Sequence, residues 1–367
     1  MKIGIDAKWY FEGPPSGRMV VRNLVDEFIR QNRRHELYLF VNSRHINQAT
    51  ALQHPNVTLV PVGGGPNLLA NLLRLPYLAG KLGLDVVLYQ NFSDFWPGRA
   101  KKIAYIHDVL FYDFPMYYSR IEQLYLRPMG LLARFANHLI TISGSEKTRL
   151  LKHRIGSDDT IDVVHHGISS RFVPLEQYDP ERLAAFDRRY QLPSDFLLYV
   201  GRINIRKNLL NLVKAMREVP AAKLVIVGGV DHKNIDVSHY LQEHGLTDRV
   251  IFTGHVPDED LYLFYAKSRI FCFPSYAEGF GLPPLEAMRC GRPVIVSDRT
   301  SLPEVCGKAG VYVNPDDPAD IAAKINHLLG DPQFYQEKSL QSLQHSGQFT
   351  WQESARRIIN IIEKVAC

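Results

Sequence analysis

The segment IFCFPSYAEGFGLPPLEAM, residues 270–288, gives the clearest indication of the fold class. It begins with four apolar residues, Ile270 to Phe273, passes through a loop with two glycines, and ends in residues that favour a helix. A short, continuously apolar run is typical of a strand buried on both faces, as in a parallel sheet covered by helices. The segment therefore predicts one strand–loop–helix unit of an α/β fold.

The same alternation extends in both directions along the chain. Apolar residues recur at a spacing of three and four in 18–31, Ser143 and Glu146 form a capping box for a helix at 144–153, and a last helix is predicted from Trp351 to about 364. Strands are predicted at 2–6, 36–42, 57–62, 85–90, 102–106, 138–142, 161–165, 196–200, 223–228, 250–253, 269–273, 293–297 and 311–313.

Length and pattern both indicate two domains. A chain of 367 residues suits two domains of ordinary size. The pattern restarts near residue 196, after a polar stretch, 167–195, that contains three prolines and is interpreted as a linker. We predict doubly wound α/β domains at 1–170 and 171–350, followed by a C-terminal helix at 351–367.

The charge is unevenly distributed. Residues 1–167 carry 20 Lys and Arg against 14 Asp and Glu, whereas residues 168–367 carry 23 against 24. A basic N-terminal half suits an anionic membrane surface or a phosphate-bearing acceptor, and a plain solvated face is the equal alternative. No nucleic-acid recognition motif accompanies the charge, so nucleic acid is not expected as a partner.

The N-terminal sequence and the cysteines indicate in which compartment the protein is found. The apolar stretch after Lys2 is too short for a signal peptide, and no segment approaches the ~20 apolar residues of a membrane-spanning helix. Cys272, Cys290, Cys306 and Cys367 form no C-x-x-C pair and are expected to be free thiols in a reducing compartment. We expect a cytoplasmic protein, either wholly soluble or peripheral at the inner face of the cell membrane.

Two glutamates mark the opening segment as a candidate site. Glu278 lies in the glycine-bearing loop, and Glu286 lies eight residues later in the predicted helix. Glycine lets a ligand approach the backbone closely, and the amides at a helix N-terminus bind phosphate. A carboxylate can accept hydrogen bonds from two adjacent hydroxyl groups. The pattern predicts a site for a phosphate-linked polyol; the alternative is a helix cap at Glu286 and a surface residue at Glu278.

Cations and a histidine follow two other predicted strands. Arg202 and Lys207 lie five residues apart in the strand-to-helix loop of YVGRINIRKN, 199–208, and suit a diphosphate, the alternative being a solvated basic loop. Arg206, beside Lys207, is interpreted as structural. A lone histidine is commonly structural, but His107 follows a strand where it faces the ligand edge of a parallel sheet. His165 and His166 are assigned to the linker.

The stretch from Glu278 to Pro315 resembles the donor site of the retaining glycosyltransferase family 4, whose hallmark is a pair of glutamates separated by seven residues. GRPVIVS at 291–297, LPEV at 302–305 and AGV at 309–311 continue the resemblance. It implies the GT-B fold, in which two Rossmann-like domains face a central cleft and the final helix crosses back to the N-terminal domain. It also implies that no metal and no cofactor are required.

The resemblance implies a role for each candidate. Glu286 binds the nucleotide ribose, Glu278 contacts the transferred sugar, and His107 hydrogen-bonds that sugar. Backbone groups of the turn 254–257 hold the base. The loop 7–17 closes over donor and acceptor and brings the amide of Gly17 to the donor diphosphate, although Ser16-Gly17 replaces the usual double glycine. The implied catalytic residues are His107, Glu278, Arg202 and Lys207; the implied donor-binding residues are Gly17, Arg202, Lys207, Val256, Glu278, Gly279, Phe280, Gly281, Leu282 and Glu286.

Aromatic and acidic clusters have competing interpretations. Phe92, Trp96, Phe111 and Tyr112 follow strands of the first domain, where aromatic faces suit a sugar acceptor; core packing and membrane contact are the alternatives. Asp258-Glu259-Asp260 has the D-x-D form used by metal-dependent glycosyltransferases, but it begins a predicted helix after Pro257, where acids are favoured by the helix dipole. We interpret these acids as a cap.

Taken with the resemblance, these residues predict a retaining, metal-independent hexosyltransferase. The His107-Asp108 pair, the aromatics behind it and Leu302-Pro303-Glu304 are similar to bacterial mannosyltransferases of polysaccharide and exopolysaccharide biosynthesis. GDP-mannose is the predicted donor, ahead of UDP-glucose, UDP-N-acetylglucosamine and dTDP-rhamnose, and a glycan or lipid-linked oligosaccharide is the predicted acceptor. A nucleotide-sugar 2-epimerase of the same fold and a non-catalytic sugar-nucleotide-binding subunit are the rival predictions.

Overall fold

A computed structural model describes residues 1–229 and 237–367. The chain divides into two compact units. The N-terminal unit comprises residues 1–167 together with 350–367, and the C-terminal unit comprises residues 168–349. Each unit has one parallel sheet with helices between its strands, so the predicted pair of doubly wound α/β units is confirmed.

The strands agree with the predicted runs to within two residues at each end, because both faces of most of them are buried. The first sheet has the order β3-β2-β1-β4-β5-β6-β7 and the second has the order β10-β9-β8-β11-β12-β13. The strands are β1 Lys2–Asp6, β2 Glu36–Asn42, β3 Val57–Val62, β4 Val86–Gln90, β5 Lys101–Ile106, β6 His138–Thr141, β7 Ile161–Val163, β8 Phe196–Val200, β9 Lys223–Val227, β10 Val250–Gly254, β11 Ile270–Phe273, β12 Val294–Ser297 and β13 Gly310–Val313.

The helices connect these strands. A single π-helical turn, Ala70–Arg74, joins two of them into one helical stretch from 67 to 82. The α-helices are α1 Pro15–Gln31, α2 Ile46–Ala49, α3 Asn67–Leu69, α4 Leu75–Leu82, α5 Leu110–Asp113, α6 Arg120–Leu126, α7 Pro128–Ala133, α8 Gly144–Lys152, α9 Pro180–Tyr190, α10 Leu209–Ala215, α11 Ser238–Glu243, α12 Asp258–Lys267, α13 Leu282–Arg289, α14 Leu302–Cys306, α15 Pro318–Gly330, α16 Pro332–Ser346 and α17 Trp351–Ala366.

The last helix, α17, belongs to the N-terminal unit and packs on α1. Its apolar residues Ala355, Ile358 and Ile362 are fully buried, as expected for one face of an amphipathic helix. The chain leaves this unit at Gly167, where a Cβ atom would lie 2.0 Å from the backbone nitrogen of Trp351. Only glycine fits at this close approach of the two backbone segments.

The stretch interpreted as a linker contains a helix, so that interpretation is wrong for residues 180–190. The Asp179 side chain accepts hydrogen bonds from the backbone amides of Glu181 and Arg182, and Pro180 occupies the first helical position. Phe186 is buried against Phe264 of α12, with ring centroids 4.9 Å apart. An N-cap followed by proline is a helix start signal, and it outweighs the polar composition here.

Candidate active site

The second sheet changes direction between β8 and β11. From β8 the chain adds β9 and β10 on one side, and from β11 it adds β12 and β13 on the other. Ligands of open α/β sheets bind outside the carboxyl ends of the strands at such a switch point. The two loops that leave β8 and β11 here are those that carry Lys207 and Glu278.

A carboxylate and two cations from these loops form one cluster. Lys207 Nζ lies 2.7 Å from Glu278 Oε1, and Arg206 Nη1 lies 3.0 Å from Glu278 Oε2. The Lys207 ammonium also lies 4.6 Å from the centre of the Phe273 ring, within range for a cation–π contact. Burial raises the pKa of Glu278, but Arg206 and Lys207 outweigh it and hold that pKa at about 2. The carboxylate is therefore ionised at every physiological pH.

Arg206, which the sequence analysis interprets as structural, lies in the same cluster and contacts Glu278 directly. Besides its ion pair with Glu278, its guanidinium donates to the carbonyl of Ala277, and its own carbonyl accepts from the amide of Tyr276 at 2.9 Å. Arg206 therefore ties the β8 loop to the β11 loop through both main chain and side chain. Its pairing with an acid 72 residues later gives no signal in a single sequence.

Hydrogen bonds with two neighbouring hydroxyl side chains and a glycine turn hold the Glu278 loop in place. The amide of Glu278 donates to Thr300 Oγ1 at 2.9 Å, and the buried Ser301 hydroxyl lies 2.9 and 2.7 Å from the carbonyl oxygens of Glu278 and Phe280. Gly281, which caps α13, has a φ of +118°, a conformation that favours glycine. The amides of Gly281 and Leu282 are thus at the N-terminus of α13, where phosphate binding is predicted.

Glu286 lies half-buried in α13, and its Oε2 accepts a hydrogen bond from the Tyr265 hydroxyl at 2.7 Å. Burial raises the pKa of Glu286 to about 7, the Tyr265 hydrogen bond opposes that rise, and Asp258 adds to it. Tyr265 follows no motif that the sequence interpretation used. Its partner is 21 residues away and is found only once α12 and α13 pack together.

The remaining donor-site candidates of the C-terminal unit lie in the same two loops and in the turn after β10. Arg202 is exposed on the β8 loop, and Gly279 and Phe280 are buried in the Glu278 loop. Val256 is buried in the turn after β10. The three acids at 258–260 lie in the first turn of α12, where the helix dipole favours them, but Pro257 is the N-cap and this helix has no side-chain cap hydrogen bond. Among residues 1–229 and 237–367, no group of His, Cys, Asp and Glu has a geometry suited to a metal ion.

His107 follows β5 in the N-terminal unit and contacts Gln90 at the end of the neighbouring β4. His107 Nε2 lies 2.8 Å from Gln90 Oε1, and its backbone amide donates to Asn91 Oδ1 at 3.0 Å. Burial lowers the pKa of His107 to about 4, so the ring is neutral at physiological pH. The carboxylate of the neighbouring Asp108 accepts a hydrogen bond from the amide of Leu110 at 3.3 Å.

His166, which was assigned to the linker, lies in this buried aromatic group. Its Nδ1 is 3.1 Å from the Tyr105 hydroxyl, and its ring centroid lies 6.1 Å from that of His107 and 5.5 Å from that of Trp351. Burial lowers the pKa of His166 as well. His166 therefore packs beside His107 with an uncharged ring.

Gly17 lies in the third position of α1 and not in a loop, because α1 begins at Pro15. The amides of the first helical turn have no carbonyl partner within the helix, so the predicted amide contact with a diphosphate remains compatible with this position. A Cβ atom at Gly17 would lie 2.8 Å from the Trp9 ring. Glycine lets the helix start approach Trp9, whose ring centroid lies 5.6 Å from that of His107.

The aromatic acceptor prediction is wrong for two of its four residues. Phe92 and Phe111 belong to the hydrophobic core of the N-terminal unit and are at most 4% exposed, so they offer no ring face to a sugar. Tyr112 is half-buried and donates its hydroxyl hydrogen to the carbonyl of Arg127. Trp96 is 46% exposed and donates through Nε1 to the carbonyl of Leu72 at 2.8 Å.

Two family models match the chain. The model described as "Glycosyltransferase Family 4" matches residues 18–172, and the model described as "Glycosyl transferases group 1" matches residues 186–344. In the described part of the chain, no helix is long and apolar enough to cross a bilayer.

Curated relatives carry mannosyltransferase names. O-antigen chain mannosyltransferase B of Escherichia coli is 31% identical over 281 residues, which are 74% of this chain and 73% of that protein. The serotype-specific mannosyltransferase WbdA of Escherichia coli is 33% identical over 240 residues. That match covers 63% of this chain but 29% of WbdA, so the chain spans less than a third of that relative.

Solved structures share the fold along the whole chain. Sucrose-phosphate synthase from Thermosynechococcus elongatus has a TM-score of 0.78 at 21% identity and covers 100% of this chain and 99% of its own. Anabaena HepE, solved in complex with UDP, has a TM-score of 0.75 at 18% identity, with 99% of each chain covered. Fold, family models and the relative matched over most of its length agree: the chain belongs to glycosyltransferase family 4 and has the GT-B fold.

Proposed function

We propose that this protein is a retaining glycosyltransferase that moves mannose from GDP-mannose to a glycan or lipid-linked oligosaccharide in bacterial polysaccharide biosynthesis. The observation that carries the proposal is the cluster of Lys207, Arg206 and Glu278 at the switch point of the second sheet. The mannosyltransferase names of the relatives support the choice of sugar.

The cations of the cluster suit an anionic ligand. Arg206 and Lys207 both contact Glu278, and Arg202 lies on the same loop. Charge-assisted hydrogen bonds from Lys and Arg to the phosphates of a nucleoside diphosphate are among the strongest in proteins. In the proposed complex Lys207 moves from Glu278 to the diphosphate, while Arg206 stays on Glu278 and keeps it ionised.

The proposed reaction forms and breaks one bond each at the sugar carbon C1. The bond from C1 to the diphosphate oxygen breaks, and the acceptor hydroxyl oxygen bonds to C1 on the same face, which retains the configuration. The hydroxyl proton passes to the departing phosphate. Lys207 and Arg202 stabilise the charge that develops on the leaving group, which is the role that a metal ion has in other transferases. We accordingly propose that the reaction needs no metal or other cofactor.

The remaining site residues are proposed to position the donor. Glu286 accepts from the ribose hydroxyls, the backbone around Val256 holds the base, and the amides near Gly281 and Gly17 contact the diphosphate. His107 is proposed to hydrogen-bond the transferred sugar through its neutral ring. We further propose a cytoplasmic location at the inner face of the cell membrane, where lipid-linked acceptors are found.

Thermal unfolding with GDP, UDP and dTDP tests the donor. A ligand that binds only the folded state stabilises it by about 2.7 kcal/mol at a concentration of a hundred times its Kd. We expect GDP to raise the midpoint most, and we expect Lys207→Ala to abolish that rise while Lys223→Ala, on an exposed residue at the opposite end of the sheet, preserves it. A larger shift with UDP than with GDP would refute the donor assignment.

Turnover tests the reaction itself. We expect the purified chain to release GDP from GDP-mannose in the presence of a mannose-bearing acceptor, in buffer containing a metal chelator. NMR of the product should show a new linkage with the anomeric configuration of the donor. An inverted linkage, or a strict requirement for added divalent metal, would contradict the mechanism.

A further inference from the structure

A large apolar surface of the N-terminal unit is exposed. It is formed by three segments, 69–77, 95–96 and 121–135, and we call it the apolar surface. Ile121 is 82% exposed, Leu124 74%, Tyr77 67% and Leu131 59%. Single exposed hydrophobic residues are ordinary, but a contiguous patch on a soluble protein marks an interaction site.

The exposed residues follow a helical period. Arg127, between α6 and α7, has the helical dihedral angles φ −49° and ψ −39°, so residues 120–133 form nearly one continuous helix. Ile121, Leu124 and Leu131 are spaced by three and seven residues, which places them on one side of that helix, and the exposed Phe135 lies in the turn that follows it. This side is exposed, while Met129, Leu132 and Ala133 are buried in the core. The helix is therefore apolar on both its inner and its outer face.

Side-chain contacts join the three segments into one surface. The Phe95 and Trp96 rings stack with centroids 5.0 Å apart, and the Phe95 ring lies 6.3 Å from that of Phe135. Trp96 Nε1 donates to the carbonyl of Leu72, which lies between the exposed residues Leu69 and Tyr77. The segment 95–96 thus bridges the other two.

The charge around the apolar surface is almost entirely positive. The stretches 66–82, 95–101 and 116–135 contain seven Lys and Arg residues and one acid, Glu122. Arg120, Arg127 and Arg134 are exposed on the same continuous helix as the apolar residues. Long cationic side chains beside an apolar face extend toward lipid phosphates while their stems stay in apolar surroundings. Exposed Trp and Tyr favour the same boundary between lipid tails and head groups.

We propose that the apolar surface docks on an anionic lipid bilayer, with Ile121, Leu124, Leu131 and Trp96 entering the head-group region and the surrounding Arg and Lys residues binding lipid phosphates. This inference rests on the peripheral location proposed above and assigns it to a defined surface. A partner protein would need complementary acidic residues around an apolar centre, whereas an anionic bilayer offers both everywhere on its surface.

Vesicle sedimentation with the full chain tests docking. We expect the chain to sediment with vesicles of phosphatidylcholine containing about 30% phosphatidylglycerol, to stay in solution with phosphatidylcholine alone, and to dissociate as salt is raised. Trp96 provides a direct probe, because its exposed ring should shift its fluorescence to shorter wavelength on entering lipid. That shift should vanish in Trp96→Phe. Equal binding to neutral vesicles, or no binding to either kind, would overturn the proposal.

Paired variants test the surface. We expect I121S/L124S to lower the vesicle partition coefficient by about tenfold or more, because two large apolar side chains no longer leave water. The matched control is F252S/L340S, which removes two exposed hydrophobic residues from the C-terminal unit and should bind as the unmodified chain does. Equal loss in both variants would count against the surface.

Two further measurements separate the remaining explanations. Thermal stabilisation by GDP reports on folding and on the proposed donor site, and we expect it to be unchanged in I121S/L124S. A variant that binds GDP but not vesicles therefore supports docking, and a chain that binds vesicles but not GDP contradicts only the donor assignment. Light scattering in the absence of lipid should give a monomer; a dimer that I121S/L124S dissociates would identify a second copy as the occupant and sink the membrane proposal.

Discussion

Among the described residues, the C-terminal unit exposes three large hydrophobic side chains, Ile205, Phe252 and Leu340, whereas the N-terminal unit exposes twelve. Both units are parallel sheets covered by helices, so the fold does not account for this difference. Charges at the carboxyl ends of the strands differ too. In the N-terminal unit Lys8 pairs one to one with Asp6, whereas in the C-terminal unit two cations share Glu278. Both proposals rest on this comparison: an anionic ligand is proposed for the C-terminal unit and an anionic lipid bilayer for the N-terminal unit.

The largest effect on turnover should come from Lys207, because its positive charge is proposed to stabilise the negative charge that develops on the departing diphosphate. We expect Lys207→Ala to lower kcat by about 10²- to 10³-fold, the cost of losing one stabilising contact in a transition state. Steady-state release of GDP measures it. Lys223→Ala serves as the control, and an equal loss in both variants would mean that charge in general, rather than this cluster, matters.

In the N-terminal unit, the Gln90 amide should matter through His107. We expect Gln90→Leu to lower kcat by about tenfold to a hundredfold, since a displacement of about 1 Å in a positioned group can cost that much. Nucleotide affinity should be unchanged, because Gln90 belongs to the other unit from the Lys207 cluster. Gln53→Leu, on an exposed residue, is the control. A loss of GDP binding in Gln90→Leu would contradict the assignment of nucleotide binding to the C-terminal unit alone.

Arg206 should have a smaller effect that is confined to nucleotide binding. Arg206 and Lys207 both pair with the Glu278 carboxylate. When Arg206 is replaced, Glu278 holds Lys207 more strongly, and Lys207 is less available to the diphosphate. We expect Arg206→Gln to weaken GDP binding by about tenfold, the cost of one charge-assisted hydrogen bond. Isothermal titration measures it against Arg188→Gln, an exposed arginine of α9. Tighter GDP binding in Arg206→Gln would show that this arginine does not hold Glu278 in place.

The smallest effect should be a pH dependence from Glu286. Burial raises its pKa to about 7, so the carboxyl group is largely protonated at pH 6 and largely ionised at pH 8. An ionised carboxylate accepts stronger hydrogen bonds from ribose hydroxyls, so we expect GDP affinity to rise severalfold over this interval. Glu286→Gln should flatten this dependence of GDP affinity on pH, and Glu337→Gln, which changes an exposed residue of α16, should leave it as it is. Affinity that falls with rising pH would assign the titration to another group.

The sequence was sufficient for the fold because of where its strands lie. Runs such as 224–227 are buried on both faces, so continuous hydrophobicity identifies them directly. The sequence analysis did not predict the helix at 180–190, because Phe186 is its one buried residue and a single apolar position gives no helical period. The capping of α8 by Ser143 was predicted, since its side chain accepts from the amide of Glu146 three residues later, as a local signal requires.

The sequence pointed to candidate site residues by two local signals. Lys207, Glu278 and His107 lie in loops that follow strands, and Glu286 lies at a fixed spacing from Glu278. Arg206 and Gln90 act through partners that are 72 and 17 residues away, and contacts of this kind are set by packing rather than by local sequence. The same limit explains Phe92 and Phe111, because a strand end does not tell which way the next aromatic ring points.

The placement of α17 affects how the chain is made. Because α17 packs on α1 and buries Ile358 and Ile362, the N-terminal unit is incomplete until the ribosome has synthesised residues 351–366. By then every strand of the C-terminal unit has been translated, and its residues 168–349 are continuous and able to fold first. A nascent chain that stalls before Trp351 would present an open hydrophobic groove along α1, a natural substrate for chaperones and proteases.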